Sequence, residues 1–347
     1  MLTKLKAATG HRMPMPLSRG PVSSQLIEGL RGTVLDWDQL SFAADCAMSS
    51  QQVCSSEDLQ LALLIMYELH YRGIDGVSDG WEWNPGLLGV RALIETRFER
   101  ELRGLAGSVQ IPAAGDLPEK LFAMTAPTSG PSLSRFIATK ATDEQFGEFL
   151  THRSVYHLKE ADPHCWAIPR LAGAPKAALV EVEADEYGGG RAERMHATLF
   201  ADTMRAVGLD AGYGALVDRV PAVVLAVSNA MSLFGLHRRL LGAIVGHLAA
   251  FEMTSSLPNR MYGNGLRRLG YGKNATLFFD EHVQADAVHE QIAGRDLAGG
   301  LARQQPELTQ DILFGAAACL ALDDRAAEHL LECWTDNRSS LRPTPAQ

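Results

Sequence analysis

Apolar residues recur along most of the chain at the three- and four-residue spacing of amphipathic helices, and alternating strand patterns are nearly absent. This periodicity predicts helices that turn one apolar face to a core and a charged face to solvent. The predicted helices span residues 25–35, 56–72, 87–105, 143–161, 174–187, 193–207, 222–233, 236–255 and 275–301. The pattern therefore predicts an all-α fold.

Proline, glycine, alanine and serine dominate the stretch between the two sets of predicted helices. Such residues interrupt helices and are typical of connections. We therefore predict a flexible N-terminal arm at 1–22, a helical N-terminal extension at 23–108 and a linker at 109–131. A larger helical domain follows at 132–335, and residues 336–347 form a tail that its composition predicts to be disordered.

The 347 residues carry 41 acidic and 32 Lys or Arg side chains, a net charge of -9, which argues against a nucleic-acid partner. The five cysteines form no CxxC pair, so we expect neither a disulfide framework nor a cysteine zinc site, but a reducing cytoplasm. The first residues lack the apolar core of a secretory signal. The longest apolar run, 220–236, contains polar residues and predicts a buried helix with no membrane partner.

A polar triad stands out in the segment HVQADAVHE, where His282, Asp286 and His289 occupy positions i, i+4 and i+7. At about 100° per residue, these side chains point the same way over two helical turns. Two imidazoles and a carboxylate together suit iron or manganese. The alternative is a solvated polar face, but apolar neighbours such as Phe278 and Val283 favour a helix that faces a core.

Further acids and a histidine occur in otherwise apolar helices. Glu252 lies in AAFEM, where a buried carboxylate needs either a metal ion or a salt bridge with an arginine. Glu186 and His196 are ten residues apart, about 15 Å on an unbroken helix. The glycines at 188–190 can break that helix and let Glu186 fold back toward His196.

Two of these assignments leave alternatives open. Glu181, Glu183 and Asp185 are near enough in sequence to replace Glu186. Glu160 stands near the end of its predicted helix, where spacing alone favours a surface position. A GxSxG motif at 76–80 follows a helical pattern, so it is interpreted as a plain loop and not as a nucleophile elbow.

Taken together, a glutamate near a helix end, DEYGGG with a downstream histidine, AFEMTSS and HVQADAVHE resemble a known family. The chain is similar over about residues 144–334 to the heme-oxygenase-like diiron oxidases and oxygenases, or iron-containing redox enzymes. The resemblance implies a heme-oxygenase-like helical bundle holding two iron ions without heme. The ligands that it implies are Glu160, Glu186, His196, Glu252, His282, Asp286 and His289.

The resemblance also implies O2-dependent oxidation of a small amino-acid-derived metabolite in natural-product biosynthesis. The reaction would be N-oxygenation, desaturation or oxidative C–C cleavage, with O2 as co-substrate and an external electron donor. The alternatives are a carbon-excising or rearranging enzyme for a sulfur- or nitrogen-containing intermediate, and a non-catalytic metal-binding or scaffold protein. A true heme oxygenase would have a proximal histidine and no such carboxylate set, so the acids argue against it.

Two expectations concern binding partners. Arg238, Arg239, Arg267 and Arg268 could bind a substrate carboxylate in a fork geometry, or they could equally be surface charge. A homodimer is compatible with the large apolar faces of the predicted helices.

Overall fold

The computed structural model describes residues 11–32, 35–127 and 130–343, except for the side chains of 114 and 284–287. Within these ranges the fold is all-α, and its single β-bridge joins Met13 to Ile74. The N-terminal part contains α1 (Pro21–Arg31), α2 (Trp37–Ser50), α3 (Glu57–Glu68), α4 (Pro85–Ala106), α5 (Leu117–Met124) and α6 (Leu133–Thr139).

Helices also make up the rest of the fold. They are α7 (Asp143–His157), α8 (Asp162–Cys165), α9 (Gly173–Glu186), α10 (His196–Ala206), α11 (Ala222–Leu236), α12 (Leu241–Met253), α13 (Ser256–Arg268), α14 (Lys273–Gln291), α15 (Gly299–Gln304) and α16 (Thr309–Thr335). A π-helical segment, Ile292–Ala298, connects α14 to α15.

Side-chain caps define where several helices begin. The Asp36 and Ser56 side chains accept hydrogen bonds from the third residues of α2 and α3. Thr142 and Gln145 form a reciprocal capping box at the start of α7. Each cap satisfies backbone N–H groups that the first helical turn leaves without a partner.

Small residues let α12 and α16 approach closely. A Cβ atom added to Gly246 would lie 1.8 Å from the carbonyl oxygen of Ile312, and one added to Gly315 would lie 1.9 Å from that of Ala243. Larger side chains cannot be accommodated at these crossings. The glycines therefore fix the position of α12, the helix that carries Glu252.

The N-terminal helices pack on the C-terminal ones and share a hydrophobic core with them. The buried Asn229 of α11 donates hydrogen bonds to the backbone and side-chain oxygens of Gln60 on α3. The N-terminal extension thus packs on the larger helical part, whereas its status as a separate domain stays a prediction.

Three segments differ from what composition predicted. In the predicted arm, residues 1–10 lie outside the described residues, but the buried Met13 donates its N–H to Gly73 and α1 begins at Pro21. The predicted linker contains α5, whose Leu117 and Leu121 are fully buried. The described part of the predicted disordered tail is held by Ser340, which donates to Glu148.

The prediction of a buried helix at the longest apolar run is confirmed by α11. In the described part of the chain, no single helix is long and apolar enough to span a membrane. One helix pair, Arg238–Met253 and Ser256–Arg268, meets the length and composition criteria together but is bent by 49°.

Candidate metal centre

Six side chains from α9, α10, α12, α14 and the turn after α7 converge in the interior of the bundle. Each is at most 8% exposed. They are Glu160 in the turn, Glu186 at the end of α9, His196 at the start of α10, Glu252 on α12, and His282 and His289 on α14.

The glycine turn brings Glu186 and His196 together, as the sequence predicted. Residues 188–190 all have positive φ angles, and a Cβ atom on Gly188 would lie 2.6 Å from the backbone of Arg194. Because only glycine adopts this conformation without strain, α9 can stop and the chain can reverse. As a result, Nδ1 of His196 lies 2.7 Å from Oε2 of Glu186.

The potential ligand atoms form two groups with one member in common. The first group contains Glu160, Glu186, His196 and His282, and the second contains Glu186, Glu252 and His289. Within each group all the ligand atoms lie within 4.8 Å of one another. Each group could therefore hold a metal ion, and Glu186 belongs to both groups.

Four of the converging atoms are buried without a hydrogen-bond partner among the described residues. They are Oε2 of Glu160, Oε2 of Glu186, Nδ1 of His196 and Nδ1 of His289. Although Glu186 and His196 are close, their contact lacks hydrogen-bond geometry. Two ligands bonded to one ion at about 2.1 Å lie roughly 3 Å apart when the bonds are near perpendicular. The unpartnered atoms are therefore arranged as the ligands of a metal ion would be.

Charge also favours a cation at this position. In the described part of the chain, the ion pairs of Glu160, Glu186 and Glu252 are with histidines only, and no Lys or Arg nitrogen lies within 4.0 Å of them. Among the described residues, the arginine salt bridge considered for Glu252 is thus absent. Glu252 and Asp185 raise the pKa of His289 to about 9, so this imidazole supplies part of the compensating charge. Buried carboxylates without a Lys or Arg partner are costly, and a metal ion would lower that cost.

Three contacts orient the ligands from outside. Nδ1 of His157 lies 2.7 Å from Oε1 of Glu160. The second carboxylate oxygen, Oε2, does not take part in this contact. Nδ1 of His282 donates to the carbonyl of Phe278 at 2.8 Å, and Nε2 of His282 lies 3.7 Å from Oε1 of Glu160. Such contacts set the tautomer of a ligating histidine.

Asp185 has the same role for His289. Its carboxylate accepts a hydrogen bond from Nε2 of His289 at 3.1 Å, which leaves Nδ1 facing the centre. Nδ1 lies 3.5 Å from Oε2 of Glu252 and 4.0 Å from Oε1 of Glu186. Asp185 is itself exposed and thus orients His289 from the rim of the centre.

The protein environment shifts the pKa values of the acidic residues in opposite directions. Burial raises the pKa of Glu252, and the opposing effect of His289 is smaller. Burial and the nearby Glu186 raise the pKa of Glu183. For Glu160, burial is outweighed by the His157 and His282 imidazoles, which hold its pKa well below the usual range. Without a metal, burial therefore disfavours the ionised forms of Glu252 and Glu183.

The acids that the sequence left open lie at different positions around the centre. Glu186 lies in both ligand groups, Glu183 lines the cavity beside the centre, and Glu181 is exposed. The surface position that spacing favoured for Glu160 is wrong, because this residue is 4% exposed. The side chain of Asp286 lies outside the described residues, while its backbone belongs to α14 between His282 and His289.

The four arginines considered for substrate binding lie away from the centre. Arg239 pairs with Glu99 and Arg267 with Asp280, each at 2.6 Å. Arg268 donates to backbone carbonyls in and after α6. Neither these three arginines nor Arg238 line the cavity at the centre.

Contacts from the N-terminal part hold the turn that carries Glu160. The fully buried Lys159 donates to Glu68 of α3 at 3.1 Å, and Arg72 donates to the carbonyl of Leu158. Ala161, directly after Glu160, adopts a left-handed φ of 76°. Because such a conformation is unfavourable for alanine, surrounding contacts must maintain it.

Sequence reasoning did not identify His157, Asp185 as a histidine partner, or the Glu68–Lys159 pair. His157 could have been noticed, since it stands three residues before Glu160. The Glu68–Lys159 pair joins residues 91 apart in sequence, and no local pattern reveals such a contact.

The centre borders a cavity of about 10 Å³, room for about one water molecule. Carboxylates and apolar side chains line it, the latter including Tyr156, Leu248 and Phe251. Little space for water therefore remains beside the candidate ligands.

Comparison with known families supports this interpretation. The iron-containing redox enzyme family matches residues 147–324, just over half of the chain, and this segment contains every residue of both ligand groups. Comparison with curated proteins gives no match. The helical architecture agrees with the heme-oxygenase-like fold. The chain therefore belongs to the family of iron-containing redox enzymes and has its all-α, heme-oxygenase-like fold.

Proposed function

We propose that this protein is a non-heme diiron oxidoreductase that uses O2 to oxidise a small amino-acid-derived metabolite. The reaction would be N-oxygenation, desaturation or oxidative C–C cleavage. One observation carries the proposal: buried carboxylates and imidazoles form two groups of potential ligand atoms that share Glu186, and four of these atoms lack a hydrogen-bond partner among the described residues. Family membership supports iron as the metal.

The donor set fits iron, since imidazole nitrogen and carboxylate oxygen are ligands that iron takes readily. Glu160, His196 and His282 would hold one ion, and Glu252 and His289 the other, with Glu186 between them. The resemblance assigns Asp286 to the same set. Two bound irons would supply the redox chemistry that activates O2.

The protein's own groups prepare the centre for this chemistry. Asp185 and His157 keep His289 and Glu160 oriented from outside the centre. Tyr156 and Phe251 cover it with apolar surface, which limits the access of water. The carboxylates can change their mode of binding as the charge at the centre changes.

Electron balance supports an external donor as a partner. Reduction of O2 to two waters takes four electrons, and a two-electron oxidation of the substrate provides two of them. In a two-electron reaction such as desaturation or N-oxygenation, the other two electrons come from an external reductant, whereas a C–C cleavage that removes four electrons from the substrate needs none. The proposal therefore includes a small-molecule substrate and an external reductant.

The proposal is tested by anaerobic loading with Fe(II), followed by mixing with O2 while absorbance is recorded. We expect about two irons per chain and a transient visible band in the wild type. His289→Ala and Glu252→Ala should bind less iron and lose the band. His237→Ala and Glu82→Gln are matched controls away from the centre and should behave as the wild type does.

Two results would contradict the proposal. One is a chain that binds no iron, which would favour a non-catalytic helical scaffold. The other is a single iron whose binding is unaffected by the two substitutions in the centre.

A further inference from the structure

A pair of buried histidines lies beside the metal centre and belongs to neither group of potential ligand atoms. His164 is part of the short helix α8 and His247 is part of α12, and both residues are 1% exposed. Nε2 of His164 lies 3.3 Å from Nδ1 of His247. The two rings are therefore in contact with each other through one nitrogen each.

Close packing holds both rings in place. A Cβ atom added to Gly235 of α11 would lie 2.4 Å from the carbonyl oxygen of Pro163, so glycine lets α8 approach α11. The ring of His247 stacks on Phe251 with centroids 6.1 Å apart, and it meets Phe234 edge to face at 6.4 Å. Rings fixed by their neighbours in this way can present a polar atom in a constant direction.

His164 has a polar atom available to the small cavity at the metal centre. It lines this cavity together with four of the candidate ligands, whereas His247 is not among the lining residues. Nδ1 of His164 is buried without a hydrogen-bond partner among the described residues. Because Nε2 faces His247, Nδ1 is the nitrogen through which His164 can bind a molecule in the cavity. A buried nitrogen without a partner is costly, and a small polar ligand would lower that cost.

Both imidazoles are neutral near pH 7. Burial lowers the pKa of His164 to about 4, and the Glu160 carboxylate only partly opposes this effect. Burial and the neighbouring His164 lower the pKa of His247 well below its ordinary value of 6.5. One neutral ring must therefore donate to the other. If His247 is the donor, Nδ1 of His164 carries a proton and can donate to a ligand without any positive charge on the ring.

The size of the cavity restricts what this nitrogen can bind. A volume of about 10 Å³ has room for about one water molecule. A ligand of one or two heavy atoms can therefore enter beside the candidate ligands, whereas an organic metabolite cannot. O2 is a ligand of this size.

We propose that His164 is a further residue of the proposed reaction and that its Nδ1 atom donates a hydrogen bond to O2 in this cavity. A donor is needed there because the oxygen gains negative charge as it is reduced. His247 is a positioning residue, since its contact with Nε2 fixes the ring and leaves the proton of His164 on Nδ1. This inference rests on the proposed diiron function, because iron is what would retain O2 beside His164.

Nitric oxide is the probe, because it is a diatomic ligand that binds Fe(II). It is added anaerobically to the full chain loaded with Fe(II), and its dissociation rate and N–O stretching frequency are measured. A hydrogen bond donated to bound nitric oxide weakens the N–O bond. We expect His164→Phe to release nitric oxide roughly tenfold faster or more and to have a higher N–O frequency than the wild type.

Two amide variants separate the function of Nδ1 from a purely structural role of the histidine pair. An asparagine amide lies near the position of Nδ1, and a glutamine amide lies near that of Nε2. His164→Asn should therefore keep a frequency close to the wild type, whereas His164→Gln should behave as His164→Phe does. His247→Leu leaves the ring of His164 unsupported and should give intermediate values. His237→Gln, at a histidine that contacts Glu95 away from the centre, is the control and should match the wild type.

The proposal is overturned if the N–O frequency and the dissociation rate are unchanged in His164→Phe, or if His164→Gln matches the wild type while His164→Asn does not. If His164→Phe does not fold, as judged by circular dichroism, the two amide variants decide. Iron stoichiometry, measured first, separates this proposal from the diiron function. Absence of bound iron would reject both. Two bound irons without an effect of His164 would retain the diiron centre and reject only the role of His164.

Discussion

Glu186 is the residue on which the two groups of ligand atoms depend, since among the described side chains it alone belongs to both. We predict that Glu186→Ala loses both irons, whereas Glu252→Ala retains roughly one, because the first group of ligands remains intact. Iron per chain after anaerobic loading and desalting measures the difference. Equal losses in the two variants would show that Glu186 is not shared.

Asp185 illustrates how a residue outside the ligand set controls one inside it. Its hydrogen bond holds Nε2 of His289 as the donor, so Asp185→Asn should weaken iron binding by about 10- to 100-fold, the usual effect of losing such a partner. Competition with a chelator measures this affinity. Glu181→Gln, on the same helix but exposed, is the matched control and should leave the affinity unchanged.

The sequence was informative at those residues whose chemistry conflicts with their surroundings. The two imidazoles on one face of α14, and Glu252 among apolar neighbours, could be predicted because a polar group in an apolar helix needs a reason. His157 and Asp185 could not, because their roles depend on which side chain faces them after folding. Composition said nothing about either contact.

At the scale of helices, α3 holds the turn that presents Glu160. Glu68 and Lys159 form an ion pair whose side chains are only 2% and 1% exposed. Removing one partner leaves a buried charge alone, which costs about 3–5 kcal/mol, whereas removing both leaves none. We predict that Lys159→Met strongly lowers the free energy of unfolding and that Glu68→Gln/Lys159→Met recovers most of the loss.

Urea denaturation followed by circular dichroism measures these free energies. The same proteins should be loaded with iron, because a displaced turn would move Glu160 away from its partners. A double variant that is stable but binds less iron than the wild type would show that the pair positions Glu160. A double variant no more stable than Lys159→Met would contradict the ion-pair argument.

Helix prediction failed where proline obscures the pattern. The start of α5 carries Pro118 in its first turn, a position where proline is tolerated, yet the prolines were interpreted as a linker. No helix was predicted at α2, α13 or α16. Helix α12 was predicted within residues 236–255, although it is buried almost all round and has no polar face to mark its phase.

Across the whole molecule, the C-terminal segment is joined to the bundle by polar contacts that composition does not reveal. Residues 339–340 bind Glu148 of α7, about 190 positions away in sequence. Because so distant a contact leaves no local pattern, this stretch of serine, arginine and proline was predicted to be disordered. Next to it, Nε2 of His152 lies 2.9 Å from Oγ of Ser340. The free energy of unfolding should therefore depend on pH through His152.

Burial lowers the pKa of His152 to about 3, from an ordinary value of 6.5. Below pH 6.5 the unfolded chain takes up a proton that the folded protein does not bind, so stability falls as the pH drops from 6.5 toward 3. One such proton contributes a slope of up to about 1.4 kcal/mol per pH unit. We predict that His152→Gln has a shallower loss of stability than the wild type between pH 6 and 4.

Urea denaturation at a series of pH values measures both curves. Above about pH 7.5 neither state protonates this histidine, so the two curves should run parallel there, offset only by the lost contact with Ser340. That region is an internal control for any pH-independent effect of the substitution. Curves that stay parallel down to pH 4 would mean that His152 is protonated equally in the folded and unfolded chains, and that burial does not exclude the charge.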